Sequence, residues 1–365
     1  MGYLEVKRDH LYLCFYLEEG QEAKLLKASS GKGKWKPNKN LNVKGYPEPD
    51  APRIVEIQKS GEICTSFRGA RNFHDTAQTF LSYIGHEMTE NSLTIYQRGE
   101  NLLVSTCFHF YEGMSVISCE SRVENTGVED VWLYGVTSFC YGNVAAWSEN
   151  NPDFGSDLQV YYAHNTWSEE CRWVHRSLRE CGVIPYGNLS YDRFCIGSHT
   201  GFSSGEYLPV GAIYHTREDE SILWQIENNG AWLFEMGVAT QDYRESFLDK
   251  KYDQRVYLAL SGPGMEGAFW QKKLAFGQSF TTVPAVAAFY HGKPEEGFQA
   301  LTAYRRKRKI VKELPVIFND YMNCLMGDST TERLRPYIKL AAQVGCEIFV
   351  VDCGWYDTGD WQYTF

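Results

Sequence analysis

The sequence predicts a mixed fold, a large antiparallel β-sandwich followed by one βαβ unit, on three observations. Up to about residue 290, short runs rich in β-branched and aromatic residues alternate with turn residues, and no helical period intervenes. After His291-Gly292-Lys293-Pro294 the pattern becomes helical. From residue 314 to residue 351, two short apolar runs bracket an amphipathic helical stretch. The expected organisation is residues 1–290 as the sandwich, 291–313 as a connecting helix and 314–365 as the βαβ unit.

Leu11–Tyr16, Leu93–Gln97, Leu102–Phe110, Ser115–Glu124 and Val131–Phe139 read as strands. Val116, Ser118, Glu120 and Arg122 show the two-residue period of one strand face. Ala212–His215, Ser221–Ile226, Ala231–Met236 and Gln254–Leu260 continue the series. Arg98–Asn101 and Asn125–Gly127 read as hairpin turns in which Gly or Asn supplies a positive φ. Ser29–Asn42 and Asn150–Asp157 read as exposed loops, and no repeat of fixed period emerges.

The connecting helix takes Pro294 at its first position, where no N–H is needed, and runs over 295–309. Phe298, Leu301 and Tyr304 share one of its faces. Leu314–Phe318 is expected as a buried parallel strand. Thr330 or Thr331 opens a second helix, with Glu332 in the first turn to suit the dipole and Gly345 closing it as a C-terminal cap. Leu334, Ile338, Ala341 and Ala342 face one way along it, and Ile348–Val351 is the second strand. Such a connection makes the two strands parallel.

With 43% hydrophobic and 22% charged residues, the 365-residue chain belongs to neither the disordered nor the fibrous class. Its formal charge of −10 argues against nucleic acid as a partner, because phosphate binding needs a clustered basic footprint. The one dense basic run, Arg305 to Lys309, reads as a solvated helix end. The 11 cysteines contain no CxxC or Cys/His pair at ligand spacing, so no metal or cofactor is expected, and reduced thiols in the cytoplasm are the consistent picture. The N-terminus lacks the apolar core of a signal peptide, Val6 does not fit myristoylation, and no run is long enough for a membrane span. The aromatic share of 15% suits a β-rich core and suits equally a protein that stacks sugar rings. His109, His164, His175 and His199 read as ordinary sandwich histidines, and Arg68, Arg71, His74 and Asp75 as a polar surface loop.

The segment Pro315–Trp361 resembles the start of the catalytic barrel in glycoside hydrolase family 36, the melibiase-type α-galactosidases. There a PVxxNxW strand leads to a helix, and the second strand ends in DDGW followed by GDW. The matching residues are Pro315, Val316, Asn319, Asp352, Gly354, Trp355, Gly359, Asp360 and Trp361. Trp224–Glu227 with Gly230 and Trp232, Ser261-Gly262-Pro263 and Phe280–Pro284 are similar to stretches of the family's N-terminal sandwich. The resemblance implies a supersandwich followed by the start of an incomplete (β/α)8 barrel. It further implies a retaining α-glycosidase that removes terminal α-linked galactose-type sugars from oligosaccharides, homo-oligomeric when full length.

Reactive groups of such barrels stand at the C-terminal ends of the strands. Asn319, Asp320 and Tyr321 follow the first strand here, and Asp352, Cys353 and Trp355 follow the second. By the resemblance Asp352 holds the 4- and 6-hydroxyls of galactose, with Trp355, Asp360 and Trp361 around it. Two positions depart from the family: Cys353 replaces the second Asp of DDGW, and Tyr321 stands where the strand-one Trp is expected. Galactose, N-acetylgalactosamine and other α-linked sugars therefore stay open. A retaining glycosidase needs a nucleophile and an acid/base carboxyl about 5–5.5 Å apart. The family carries both on later strands, and a complete barrel takes about 250 residues, so both are expected beyond residue 365. Two other readings stand beside this one, a non-catalytic carbohydrate-binding or interaction sandwich and a raffinose-synthase-like transglycosylase.

Overall fold

Along Leu102–Phe110 every second side chain is buried, the two-residue period that turns one face of an antiparallel strand inward. This strand belongs to a computed structural model that describes residues 2–31, 53–61, 80–146, 154–184, 192–240, 254–308 and 314–355. By their contacts the residues fall into two units, Met1–Arg305 and Arg306–Phe365.

Unit 1 opens with β1 (Tyr3–Arg8), β2 (Leu11–Tyr16) and β3 (Lys24–Ser29), which form a three-stranded antiparallel sheet. The short β4 (Ile57–Lys59) precedes a meander of β5 (Ser82–Met88), β6 (Ser92–Arg98), β7 (Leu102–Phe110) and β8 (Val116–Asn125). Next come β9 (Val131–Ala146), β10 (Leu158–Thr166), β11 (Glu169–Ser177), β12 (Arg193–Ser198) and β13 (Val210–His215). The series closes with β14 (Glu220–Ile226), β15 (Trp232–Thr240), β16 (Gln254–Ser261), β17 (Lys272–Leu274), β18 (Ser279–Thr281) and β19 (Ala285–His291).

Among the described residues, one large sheet runs β11-β10-β13-β14-β19-β8-β7-β6-β5 with β18 beside β8. A second runs β12-β15-β16-β9-β17 with β4 beside β9. The three sheets share one apolar core. It contains Leu13 and Phe15 of β2, Phe108 of β7, Phe139 of β9, and Trp224 and Phe234 of β14 and β15. The Trp224 ring lies 4.6 Å from Phe234 and 5.9 Å from Trp232. Fully burying one such side chain contributes roughly 1.5–3 kcal/mol. The sandwich predicted from the strand pattern is the observed architecture, and every strand expected up to residue 260 is present.

Helix α1 (Pro294–Lys307) begins at the expected proline. Its Leu301 and Tyr304 are buried with Val116, Ala212, Leu223, Val286 and Ala288, on the sheet face away from the main core. Gly297 allows this approach, since a Cβ there would meet Leu223 Cδ1 at 2.6 Å. Tyr304 donates its hydroxyl to Glu227 at 2.9 Å, and Arg305 donates to Gln225 at 2.6 Å. Residues Arg305 to Arg308 are exposed, as a solvated helix end requires.

Several local expectations change. Neither hairpin turn uses a positive φ; the left-handed glycine among these connections is Gly113, at 71°. The Asn125 turn is held by its side chain instead. Its amide donates to the Glu129 and Leu274 carbonyls, and its Oδ1 accepts the Gly127 N–H. Ser29 is buried in β3 rather than looped out, and Phe154 is buried in a 3₁₀ turn over Phe154–Asp157. The four histidines find partners: Glu120 for His109, Tyr207 for His164, Tyr161 for His175 and Glu206 for His199. All ten described cysteines are free thiols. Among the described residues, no helix is long and apolar enough to cross a membrane. Residues 32–42 and 150–153, the segment Arg68–Asp75, Lys309, Asp360 and Trp361 lie outside the described residues.

Unit 2 contains β20 (Ile317–Asn319), a π-helical turn (Tyr321–Leu325), α2 (Thr331–Gln343) and β21 (Ile348–Val350). The strands pair in parallel, Ile317 with Ile348, Phe318 with Phe349 and Asn319 with Val350. The Phe318 ring stacks on Phe349 at 5.2 Å and on Tyr337 of α2 at 6.3 Å, which ties the helix to the strands. Gly345, at φ 88°, ends α2: its N–H reaches the Ala342 carbonyl, and the Cys346 N–H reaches that of Ala341. The first strand was expected to be buried, but Leu314, Val316 and Ile317 are exposed, and so is Ile348. A parallel strand is covered only when it has neighbours on both edges and helices on both faces. The described residues of this unit give each strand one neighbour and the pair one helix.

Candidate functional site

Side chains at the ends of β20 and β21 converge because the two strands are parallel and in register. Asn319 closes β20, and Asp352 stands two residues past β21. The Asn319 Nδ2–H donates to Asp352 Oδ2 at 2.7 Å, while Asn319 Oδ1 accepts the Tyr321 N–H at 2.9 Å. Both side chains are exposed. Among the described residues, Asn319 is the only side-chain partner of the Asp352 carboxylate, so Oδ1 faces solvent unpaired.

Asp320 lies beneath this pair and is fully buried. Its Oδ1 accepts the Asp352 N–H at 2.9 Å and its Oδ2 accepts from the Ser329 hydroxyl at 3.1 Å. Ser329 shares its proton with the Cys353 carbonyl at 3.0 Å. The Asp320 N–H in turn reaches the Val350 carbonyl at 3.2 Å. Asp320 thus holds the two strand ends at fixed spacing, and its oxygens are engaged inside the protein. Cys353 enters through its backbone. Gly354, at φ 86°, lies so close to Gly327 that a Cβ would collide with the Gly327 carbonyl, so this crossing of two loops admits only glycine. Trp355 donates its indole N–H to the Asp352 backbone carbonyl at 2.8 Å and leaves half its surface exposed.

Of the residues singled out from sequence, the fold brings together Asn319, Asp320, Tyr321, Asp352, Cys353 and Trp355. An exposed amide and carboxylate on rigid strand ends, next to an indole, can hydrogen-bond neighbouring hydroxyls and offer an apolar face. Charge-assisted bonds of this kind are about twice as strong as neutral ones. Among the described residues, no three His, Cys, Asp or Glu side chains converge as a metal site.

No protein-family profile and no curated protein matches the sequence. Solved structures do match. The family 36 α-galactosidase AgaA of Geobacillus stearothermophilus superposes with a TM-score of 0.68 and 16% identity, over 97% of this chain and 50% of that one. The α-galactosidase of Lactobacillus brevis gives 0.67 and 14%, over 97% and 49%. The galactosidase domain of the α-galactosidase-sucrose kinase AgaSK gives 0.66 and 14%, over 98% and 50%. The chain spans about half the length of each of these structures. At such identities the likeness shows a shared fold, and the fold is that of family 36 α-galactosidases over nearly the whole chain.

Sequence reasoning missed Ser329 and Gly327. Ser329 carries no motif, and its role exists only because the Cys353 carbonyl and Asp320 carboxylate come within bonding reach of one hydroxyl.

Proposed function

We propose that the Asn319–Asp352 pair is the hydroxyl-binding end of the sugar site in a retaining α-glycosidase acting on terminal α-linked galactose-type sugars, of which this chain is a part. The observation that carries the reading is the exposed carboxylate of Asp352, oriented by Asn319 at the C-terminal ends of two parallel strands. On this reading β20, α2 and β21 are the first βαβ unit of a (β/α)8 barrel, residues 1–290 the sandwich before it and 291–313 the connection. Tyr321 and Trp355 wall the site, Asp360 and Trp361 are assigned to the same sugar by the motif alone, and Cys353 leaves one carboxylate fewer than the family pattern. Asp320 acts by positioning Asp352. Support comes from the shared fold and from AgaA, whose structures include complexes with raffinose and stachyose. Free thiols fit a cytoplasmic protein, and a homo-oligomeric full-length form is part of the same proposal.

The nucleophile and the acid/base are assigned to neither strand end. Asp320 is buried and engaged, which leaves one solvent-facing carboxylate where retention needs two about 5–5.5 Å apart. The 365 residues alone are therefore expected to release no measurable nitrophenol from p-nitrophenyl α-galactoside. In a full-length protein with a completed barrel, Asp352→Ala removes two charge-assisted bonds to sugar hydroxyls, each worth roughly 1.5–3 kcal/mol, and lowers kcat/KM about a hundredfold or more. Near-normal kinetics with a lowered melting temperature would reduce Asp352 to a turn residue and end the proposal.

A further inference from the structure

Within unit 1, helix α1 leaves one side of the sheet end uncovered. An open cleft of about 370 Å³ lies between the helix, the β1–β2 turn, the β7–β8 connection and the end of β19, a size within the range of small-molecule sites. Ser30 and Ser115 both line it. Among the described residues neither hydroxyl has a hydrogen-bond partner, although both oxygens are shielded from water. Ser115 is 9% exposed. Buried hydroxyls are nearly always paired, because an unpaired one keeps its full desolvation cost. Ser115 is held in place, since its carbonyl accepts the Phe289 N–H at 2.9 Å. A serine hydroxyl turns about χ1 among three staggered wells. Neither Ser30 nor Ser115 has a bond to break, so rotation into the cleft costs no hydrogen bond.

The remaining lining defines the chemistry that satisfies them. His10, from the β1–β2 turn, and His291, from the end of β19, present two exposed imidazoles, each able to donate or accept. Met114, Tyr290, Ala300 and Ala303 form an apolar wall. The β7–β8 connection that carries Met114 and Ser115 is fixed by the Gly113 N–H, which donates to Asp9 at 3.0 Å. Among the described lining residues only His10 and His291 can carry a charge, and His291 Nε2 already lies 3.9 Å from Asp219 Oδ2, so the lining favours hydroxyls over a fixed charge. A small uncharged molecule with several hydroxyls and one apolar face fits this set, and a single sugar ring is the compact form of that chemistry.

We propose that this cleft binds one neutral sugar ring, its hydroxyls paired by Ser30, Ser115, His10 and His291 and its C–H face laid on Tyr290 and the α1 alanines. Every residue that forms this cleft belongs to unit 1, and it shares no residue with the strand-end site.

The test titrates methyl α-galactopyranoside and methyl α-glucopyranoside into the 365-residue protein, followed by saturation-transfer NMR and by the imidazole C–H signals of His10 and His291. Saturable binding in the millimolar range that shifts both signals, and that persists in Asp352→Ala, is the expected result. Ala303→Trp fills the cleft and weakens binding at least tenfold. Ser115→Ala weakens it at least threefold, and at the same time raises the melting temperature of the ligand-free protein by removing an unpaired buried hydroxyl. Binding that disappears in Asp352→Ala but survives Ala303→Trp would place the sugar at the strand ends alone and overturn the cleft. So would the absence of any binding, or affinities unchanged in both cleft variants.

Discussion

Glu235 in the sandwich and Asp320 in the βαβ unit are both fully buried carboxylates, and they are satisfied in opposite ways. Glu235 on β15 accepts from Arg193 of β12 at 2.9 Å and from the Tyr257 hydroxyl of β16 at 2.7 Å. Arg193 also bonds Glu266 at 2.7 and 3.1 Å, so one cation is shared by two carboxylates in a network that staples three strands. Asp320 is met by dipoles, a backbone N–H and a hydroxyl. The first arrangement stabilises a sheet; the second sets the spacing of two strand ends so that the neighbouring carboxylate can face solvent. The apolar residues divide along the same line. Trp224, Phe15 and Phe108 are wholly buried in unit 1, whereas Val316, Ile317 and Ile348 of unit 2 stay exposed. The contrast teaches that stability is concentrated in the sandwich, while the smaller unit holds the exposed polar strand ends of the proposed glycosidase site.

Substitutions can break this contrast. The largest loss is expected from Trp224→Ala, about 3–5 kcal/mol in denaturant unfolding, because the cavity opens among Trp232 and Phe234. A loss below about 1 kcal/mol would mean that the sandwich core does not dominate stability. Arg193→Met strands Glu235 without its cation and should cost about 3 kcal/mol. Adding Glu235→Gln should recover much of it, and a double-mutant cycle showing simple additivity would dismiss the network. Asp320→Ala should cost about 1–3 kcal/mol locally and leave the unfolding of unit 1 in place. Its signature is faster hydrogen exchange at the Asp352 amide. If instead the unfolding of unit 1 shifts by as much as in Arg193→Met, Asp320 is part of the global core and the contrast fails.

The smallest effect concerns His215, whose folded pKa burial pushes below the ordinary value of 6.5, against the nearby Glu218 and Asp157 that favour its charge. The unfolded chain then takes up the proton first as the pH falls. Stability is full above about pH 6.5 and declines below it, down to the folded pKa. Thermal melts at pH 7 and pH 5 should show the decline reduced by roughly 1–2 °C in His215→Asn. An identical pH dependence in the variant would show that burial of His215 is not linked to folding.

The strands that the sequence revealed are those with one buried face. Leu102–Phe110 was bounded correctly because alternation marks it from end to end. Strand β19, AVAAFYH, carries no such rhythm: it lies between β14 and β8 with both faces covered, one by the core and the other by α1. Its small alanines make room for the helix, a reason that does not exist until the helix has packed. The positive φ expected at Asn125 failed for a related cause, since the Leu274 carbonyl that anchors its side chain arrives from far along the chain.

By itself the sequence determined the antiparallel strand series, the switch to a strand–helix–strand pattern after Pro294, and the candidates Asn319 and Asp352, because each rests on local periodicity or a short motif. The tertiary structure decided which polar groups contact each other. Asp320 became a brace because the amide of Asp352 and the hydroxyl of Ser329 close on it. The hydroxyls of Ser30 and Ser115, unpaired among the described residues, came to line one cleft because a hairpin turn, a sheet end and a helix meet there. Ser329 and Asp352 lie 9 and 32 residues from Asp320, and neither separation leaves a mark on local periodicity, so the pairing is set only when the chain has folded.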